Sequence, residues 1–315
     1  MTTSNPNSSQ LSDPPHLDNP SRAGTEARGG GAAPRWLPVR ALAEREVVRF
    51  FRQRNRVVAA VVTPLVFWLM LGLGLDRALV VGGGGVGEAG EQEGVGYLAY
   101  FFPGVVVLMV LFTAIFTTIS VIEDRREGFL QGVLVSPASR GSIVAGKALG
   151  GTVITLLQAL VMVALGVVLF GFPGFGALFG SLLVLGLIAV GLTGIGLAFA
   201  WPMDSTAGYH AVMNLLLMPM WLLSGAVFQA ETATGPVKWL MLCNPLTYGQ
   251  TLFTWWWTGG ATAVPPGGPG VSLAVTAAAA GLALVAATRV ASRPEGSKAP
   301  RKARADRHAA VANAA

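Results

Sequence analysis

Residues 123–127 set five ionisable side chains in a row: Glu123, Asp124, Arg125, Arg126 and Glu127. Long apolar runs flank them on both sides. A charge in hydrocarbon costs roughly 3 kcal/mol or more, so this stretch belongs outside the bilayer. The mixed signs make it a source of ion pairs. Apolar side chains follow at helical spacing. Phe129 with Val133, and Leu130 with Leu134, are i, i+4 pairs that give a short helix one apolar face. Ser136-Pro137 then reads as a stop and restart, since serine caps helices and proline is tolerated in a first turn. Arg140 and Gly146-Lys147 complete the cluster. A short amphipathic helix, tied by charges to two membrane spans, has the character of a docking element for a soluble partner.

Other candidate chemistries fail on context. Gly141 to Lys147 matches G-x-x-x-x-G-K, but Ala148 follows where a phosphate loop needs Ser or Thr, and no strand precedes it. Gly146-Lys147 reads better as the cytoplasmic start of a span. Ser224-Gly225 with His210 suggests an intramembrane serine hydrolase. A nucleophile needs its base within hydrogen-bond reach, and 14 helical residues rise about 21 Å. His16, His210, His308 and Cys243 have no metal-ligand spacing. No catalytic set, cofactor site or metal site emerges, and nothing points to nucleic acid.

The elements that must position the charged cluster follow from composition. The chain has 315 residues, 52% hydrophobic and only 12% charged. Soluble proteins carry about 25% charged residues, so this is an integral membrane protein. Its one cysteine, Cys243, permits no internal disulfide. Residues 1–34 are polar, without apolar period, and are expected to be disordered. No cleaved leader is expected, because the first apolar run begins only near Val57, after a polar, arginine-bearing segment. Over residues 36–56, Trp36, Val39, Ala43, Val47 and Phe50 fall on one side of a helical wheel. Arg45, Arg49, Arg52 and Arg56 fall on the other, while Arg40 and Arg54 break the apolar side. This predicts an interfacial helix with its arginines toward anionic lipid; the plainer alternative is a basic flank that only sets topology.

Six apolar runs then approach the roughly 20 residues needed to cross hydrocarbon, at about 57–75, 97–122, 143–170, 177–200, 211–229 and 271–288. Basic residues fix orientation. Seven arginines lie between 35 and 56, four basic residues in the 123–147 loop, and seven in the tail from Arg289. The loop after the first run has Arg77 alone against Asp76, Glu88, Glu91 and Glu93, and loop 230–270 has Lys238 as its one basic residue. Both termini and the 123–147 loop are therefore expected in the cytoplasm. Past Lys147, which belongs with the charged loop, the runs hold no Asp, Glu, Lys or Arg. Ion-coupled transporters need such groups, so a self-powered transporter is disfavoured. Glycines 186, 191, 194 and 196 of the fourth run are read as packing residues. Loop 230–270 is long and mostly apolar. It reads as two short helices broken at Asn244-Pro245 that dip back into the outer leaflet, which requires packing on protein or lining a cavity.

The run E-D-R-R-E-G-F-L-Q-G-V-L-V-S-P-A-S-R followed by G-K resembles the cytoplasmic coupling loop of type-2 ABC transporter permeases, the membrane subunits of drug, polysaccharide and nodulation-factor exporters. Pro219 to Phe228, with Asn244-Pro245-Leu246-Thr247-Tyr248 downstream, resembles the P-x-x-x-x-S-G…N-P-L-T-Y signature of the same family. Family members often carry an acid and an arginine shortly after that motif; here Gly249-Gln250-Thr251-Leu252-Phe253 and tryptophans stand instead. The resemblance covers most of residues 36–290. It implies an all-α membrane fold over 35–290, between disordered tails at 1–34 and 291–315. That fold has six transmembrane helices, an N-terminal interfacial helix, a cytoplasmic coupling helix between spans 2 and 3, and re-entrant outer helices between spans 5 and 6. It implies a permease that pairs with a second copy or a paralogue and with a separate ATPase subunit, which binds the ATP and Mg. Phe129, Leu130, Val133 and Leu134 would seat in a groove of that ATPase. Glu123, Asp124, Arg125, Arg126, Glu127 and Arg140 would fix the register by ion pairs. Asn244, Pro245, Tyr248 and Trp255 would form an outer gate. The runner-up is a non-transporting scaffold that anchors a soluble partner through the same loop.

Overall fold

The computed structural model of the chain describes residues 36–81, 97–135, 138–228, 233 and 235–293. Both expected disordered tails (apart from Ala291 to Arg293), the acidic stretch at 88–93 and the Ser136-Pro137 restart lie outside the described residues. Eleven helices carry the rest: α1 (Trp36–Arg52), α2 (Arg54–Val81), α3 (Tyr97–Thr118), α4 (Ser120–Arg126), α5 (Phe129–Val135), α6 (Arg140–Phe170), α7 (Phe175–Ala200), α8 (Thr206–Trp221), α9 (Gly235–Cys243), α10 (Pro245–Trp257) and α11 (Gly268–Ser292). No strand occurs among the described residues. Among the described residues five stretches are long and apolar enough to cross a membrane: Arg54–Gly74, Tyr97–Arg126, α6, α7 and α11.

The boundaries shift from the expected ones for local reasons. Glu123 to Arg126 do not form a loop. After a break at Ile119 they extend the α3 helix as α4, and the chain turns only at Gly128, whose φ of 77° favours a residue without Cβ. The third span begins at Arg140 because Ser139 caps it, its hydroxyl accepting from the Ser142 N–H. The fifth expected run is a 16-residue helix that continues as a π-turn over Leu222–Ala226.

α3 is the axis of the bundle. Nearly all its side chains are buried, against α2, α6, α7 and α10. Aromatic rings fill the end of the bundle near its N-terminus. Phe102 meets Trp68, Phe170 and Trp257 with centroids 5.2–5.4 Å apart, and Phe101 packs against Trp221. On the other flank α7 lies along α11 through small residues: Gly191 faces Ala280 and Gly194 faces Ala283. Such a seam lets helices approach where lipid supplies no hydrophobic drive, and it agrees with packing as the role of these glycines.

Among the described glycines, the closest approach to another segment's backbone is between α3 and the π-turn. A Cβ on Gly104 would meet the Ala226 carbonyl oxygen at 2.7 Å, and the Trp221 indole N–H donates to the Gly104 carbonyl at 2.8 Å. Gly104→Ala is therefore expected to destabilise the protein by about 1–3 kcal/mol, the range for overpacking. Gly281→Ala, which faces open space on α11, should leave thermal unfolding in detergent unchanged.

Candidate functional site

At the end of the bundle opposite the aromatic cluster, charges from α1, α2, α4 and α6 converge. Asp124 is fully buried. Its carboxylate accepts from Arg45 Nη2 at 2.8 Å and Nη1 at 3.1 Å, from Lys147 Nζ at 2.6 Å, and from Arg49. Lys147 is itself buried and places its other protons on Glu46 Oε1 at 2.7 Å and Ser120 Oγ at 3.3 Å. Glu123 takes Arg49 at 3.1 Å and Arg56, while Glu127 takes Arg49 at 3.0 Å. Burial opposes the charge on Arg45, but the hydrogen bond and charge of Asp124 outweigh it and raise its pKa above the ordinary arginine value. Its guanidinium also lies 3.6 Å above the centre of the Phe129 ring, a cation–π contact.

The rest of the cluster ties down three further helix ends. Arg125 donates to the Trp201 carbonyl, to the Met203 carbonyl at 3.3 Å and to Asp204 Oδ1 at 3.2 Å. Arg126 donates to the Asp204 carbonyl at 2.6 and 3.0 Å. Arg140 donates to the Ala291 carbonyl at 3.2 Å. Arg125 and Arg126 thus hold the end of α7 and the start of α8 beside α4, and Arg140 holds the end of α11 at the start of α6.

Two readings of the sequence need correction in geometry. Arg45, Arg49 and Arg56 do not point to lipid headgroups; they face the acids of α4, and only Arg52 of that set is exposed. α1 buries Leu42, Ala43, Glu46 and Phe50 instead, leaving Trp36, Val48 and Phe51 outward. The apolar face of α5 is partly spent within the chain. Leu130 is buried in the core and Val133 is half-buried against it, with Phe129 beneath Arg45. Leu134 lies on α5, its side chain outside the described ones. Sequence reasoning also passed over Glu46 and the seat of α1, and placed Lys147 in the charged cluster without its partners. A Cβ on Gly146 would meet Leu42 at 2.8 Å, and one on Gly150 would meet Glu46 Cβ at 2.8 Å. This Gly-x-x-x-Gly face of α6 was legible as a helix-packing motif, but the phosphate-loop pattern drew attention to the same residues.

At the opposite end the second motif resolves into a set of bonds around the π-turn. The wide turn over Leu222–Ala226 releases carbonyls from the helical ladder. The Asn244 amide donates to the Met220 carbonyl at 2.6 Å, Ser224 Oγ to the Trp221 carbonyl at 2.6 Å, and Thr247 Oγ1 to the Leu223 carbonyl at 3.1 Å. Asn244 Oδ1 meanwhile accepts the Leu246 N–H at 3.0 Å, capping α10, with Pro245 in its first turn. Tyr248 OH donates to the Leu242 carbonyl at 3.0 Å, and Trp255 packs edge-on to Trp256. The break at Asn244-Pro245 between α9 and α10 is as expected from the sequence. Ser224 is a buried structural hydroxyl, and His210 sits at the other end of α8 against Phe116.

The sequence pattern of the ABC-2 type transporter family matches residues 38–256, which contain both constellations. The chain belongs to the ABC-2 type transporter family. Two relatives agree. It is 25% identical to ycf38 of Cyanophora paradoxa, named a transport permease, over 66% of this chain and 69% of that one. It is 24% identical to the daunorubicin resistance ABC transporter permease protein DrrB1 of Streptomyces coeruleorubidus, over 62% of this chain and 66% of that one. It is thus a multi-pass membrane permease. The buried network should dominate the stability of this ABC-2 permease at its charged end. Removing one partner of a buried ion pair costs about 3–5 kcal/mol, so Asp124→Ala should sharply lower the unfolding temperature in detergent. Breaking the exposed Arg40–Glu44 pair of α1, with both side chains more than 60% exposed, should leave the unfolding temperature nearly unchanged.

Proposed function

We propose that this permease forms half of the translocation pathway of an ATP-driven exporter and takes its energy from a separate ATPase subunit. The observation that carries the reading is the α4–α5 corner. It projects from the bundle at Glu127, Gly128 and Gly132, all exposed, and its base is bonded to α1, α2, α6 and the 201–204 turn. A push on that corner reaches every helix end it holds. The sequence has no phosphate loop and no ion relay within its spans, which supports an external source of energy.

Sidedness follows from charge. Arg45, Arg49, Arg56, Arg125, Arg126, Arg140 and Lys147 gather at one end, which the positive-inside rule assigns to the cytoplasm. α8 begins there, beside Arg126, and its π-turn continuation reaches Val227, whose carbonyl accepts from Tyr97 OH at the far end. With the π-turn it covers residues 206–226, about 31 Å at helical rise, enough for a sixth crossing. Both termini then lie in the cytoplasm, and α9 and α10 lie at the outer face as a lateral gate. Asn214 is exposed midway along α8, next to Leu215. An amide facing hydrocarbon calls for a polar partner, which a second permease, identical or paralogous, supplies. The daunorubicin resistance named for one relative, and spans free of buried charge away from the cytoplasmic end, favour outward movement of amphipathic cargo.

Because Leu130 belongs to the permease's own core, the partner contact is assigned to the exposed corner. A Cβ at Gly132 meets nothing within 4 Å. Gly132→Trp should therefore leave the unfolding temperature unchanged and abolish co-purification of the ATPase from native membranes. Undiminished co-purification would remove the corner from the interface. Absence of any ATPase in the wild-type preparation would leave an anchoring scaffold as the function.

A further inference from the structure

Beneath α9 and α10, next to the π-turn, lies a cavity of about 260 Å³. Tyr100, Lys238, Gln250, Thr251 and Thr254 line it, with the loop at 262–266 closing one side. Two of its hydroxyls have their protons engaged. Thr251 Oγ1 gives its proton to the Thr247 carbonyl at 2.7 Å, and Thr254 Oγ1 gives its proton to the Gln250 carbonyl at 3.0 Å. Gln250 Nε2 donates to Thr254 Oγ1 at 3.4 Å, which fixes the orientation of the amide. The other amide atom, Gln250 Oε1, is buried and accepts no hydrogen bond from the described residues, although the residue is only 1% exposed. Buried acceptors of this kind ordinarily have a donor.

The cavity therefore calls for hydrogen-bond donors. Donors come as ammonium groups or as hydroxyls. Lys238 decides between them: it is exposed on α9 at the cavity and has no ion pair among the described residues. A cationic ligand would be repelled and an anionic one attracted. Apolar wall groups such as Ala226, Leu242 and Val264 suit a carbon skeleton rather than a hydrated inorganic ion. We propose that this cavity binds an anionic polyol, with its hydroxyls on Gln250 Oε1 and the threonine oxygens and its negative group on Lys238. The proposal rests on the outward placement of α9 and α10 for access. The chemistry is shared by a phosphoglycerol lipid headgroup and by a free phosphorylated polyol.

The test uses the full chain in phosphatidylcholine nanodiscs. Tritiated glycerol 3-phosphate is measured by equilibrium dialysis, and phosphatidylglycerol added to the discs is counted by native mass spectrometry. At least one probe should bind at one per chain. Lys238→Gln and Gln250→Leu should each weaken it tenfold or more without lowering the unfolding temperature. Retention of phosphatidylglycerol alone supports the site with a lipid as its source, and binding of glycerol 3-phosphate alone supports it with a soluble ligand. Failure of both probes to bind, equal binding by both variants, or inorganic phosphate binding as tightly as glycerol 3-phosphate would overturn the proposal. Should Gln250→Leu not fold, Lys238→Gln and the phosphate comparison still decide. No ATPase enters the assay, so its failure leaves the exporter reading standing, and loss of the ATPase partner leaves this site standing.

Discussion

A single buried carboxylate organises the charged end of this protein. Asp124 has no contact with solvent, and an isolated carboxylate there would not remain ionised. Arg45, Arg49 and Lys147 surround it, and they come from two helices far apart in the chain. Those cations are in turn shared with Glu46, Glu123 and Glu127. Asp124, Glu46 and Lys147 are themselves buried, so losing any of them unbalances charge that water does not reach. The geometry of α1, α4 and the first turns of α6 is therefore fixed jointly. The glycines at 146 and 150 complete the arrangement, because only their missing side chains let α1 come close enough for Glu46 to reach Lys147.

The opposite end meets a different constraint with neutral groups. A π-turn over Leu222–Ala226 frees backbone carbonyls inside the bundle, where water is scarce. Asn244, Ser224 and Thr247 return a donor to three of them. This makes α9, α10 and the end of α8 one hydrogen-bonded unit. The charged end is thus set by ion pairs between helices, and the opposite end by side-chain bonds to a broken helix. Between these two ends run spans whose seams are small residues and dispersion contacts.

Much of this was legible in the sequence, for identifiable reasons. Apolar runs near the membrane thickness located the spans, and Asn244-Pro245 located a helix break, because length and proline act locally. The charged run was recognised, but its partners were not. A carboxylate's partner 79 residues away leaves no local trace. Glu46 was obscured by the arginines around it, and Lys147 looked like any basic residue at a span's edge. The wheel for α1 separated arginines from apolar residues correctly but could not say which face met protein. Leu130 is the same case on a shorter helix: an i, i+4 apolar pair fits the protein's own core as well as a partner's groove. The π-turn was invisible because nothing in Leu222–Ala226 differs in composition from an ordinary helix, apart from Ser224-Gly225.

The joint fixing of α1 and the first turns of α6 is open to direct measurement. With Cys243→Ser as background, spin labels on Arg52→Cys and Ala145→Cys, both exposed, would report the distance between them by double electron–electron resonance. The permease would be in complex with the ATPase proposed above, with and without ATP. A welded unit keeps that distance constant while a second pair, Ala145→Cys with Leu215→Cys, changes. An α1-to-α6 distance that shifts with ATP would contradict the claim that the Asp124 network holds these elements as one body.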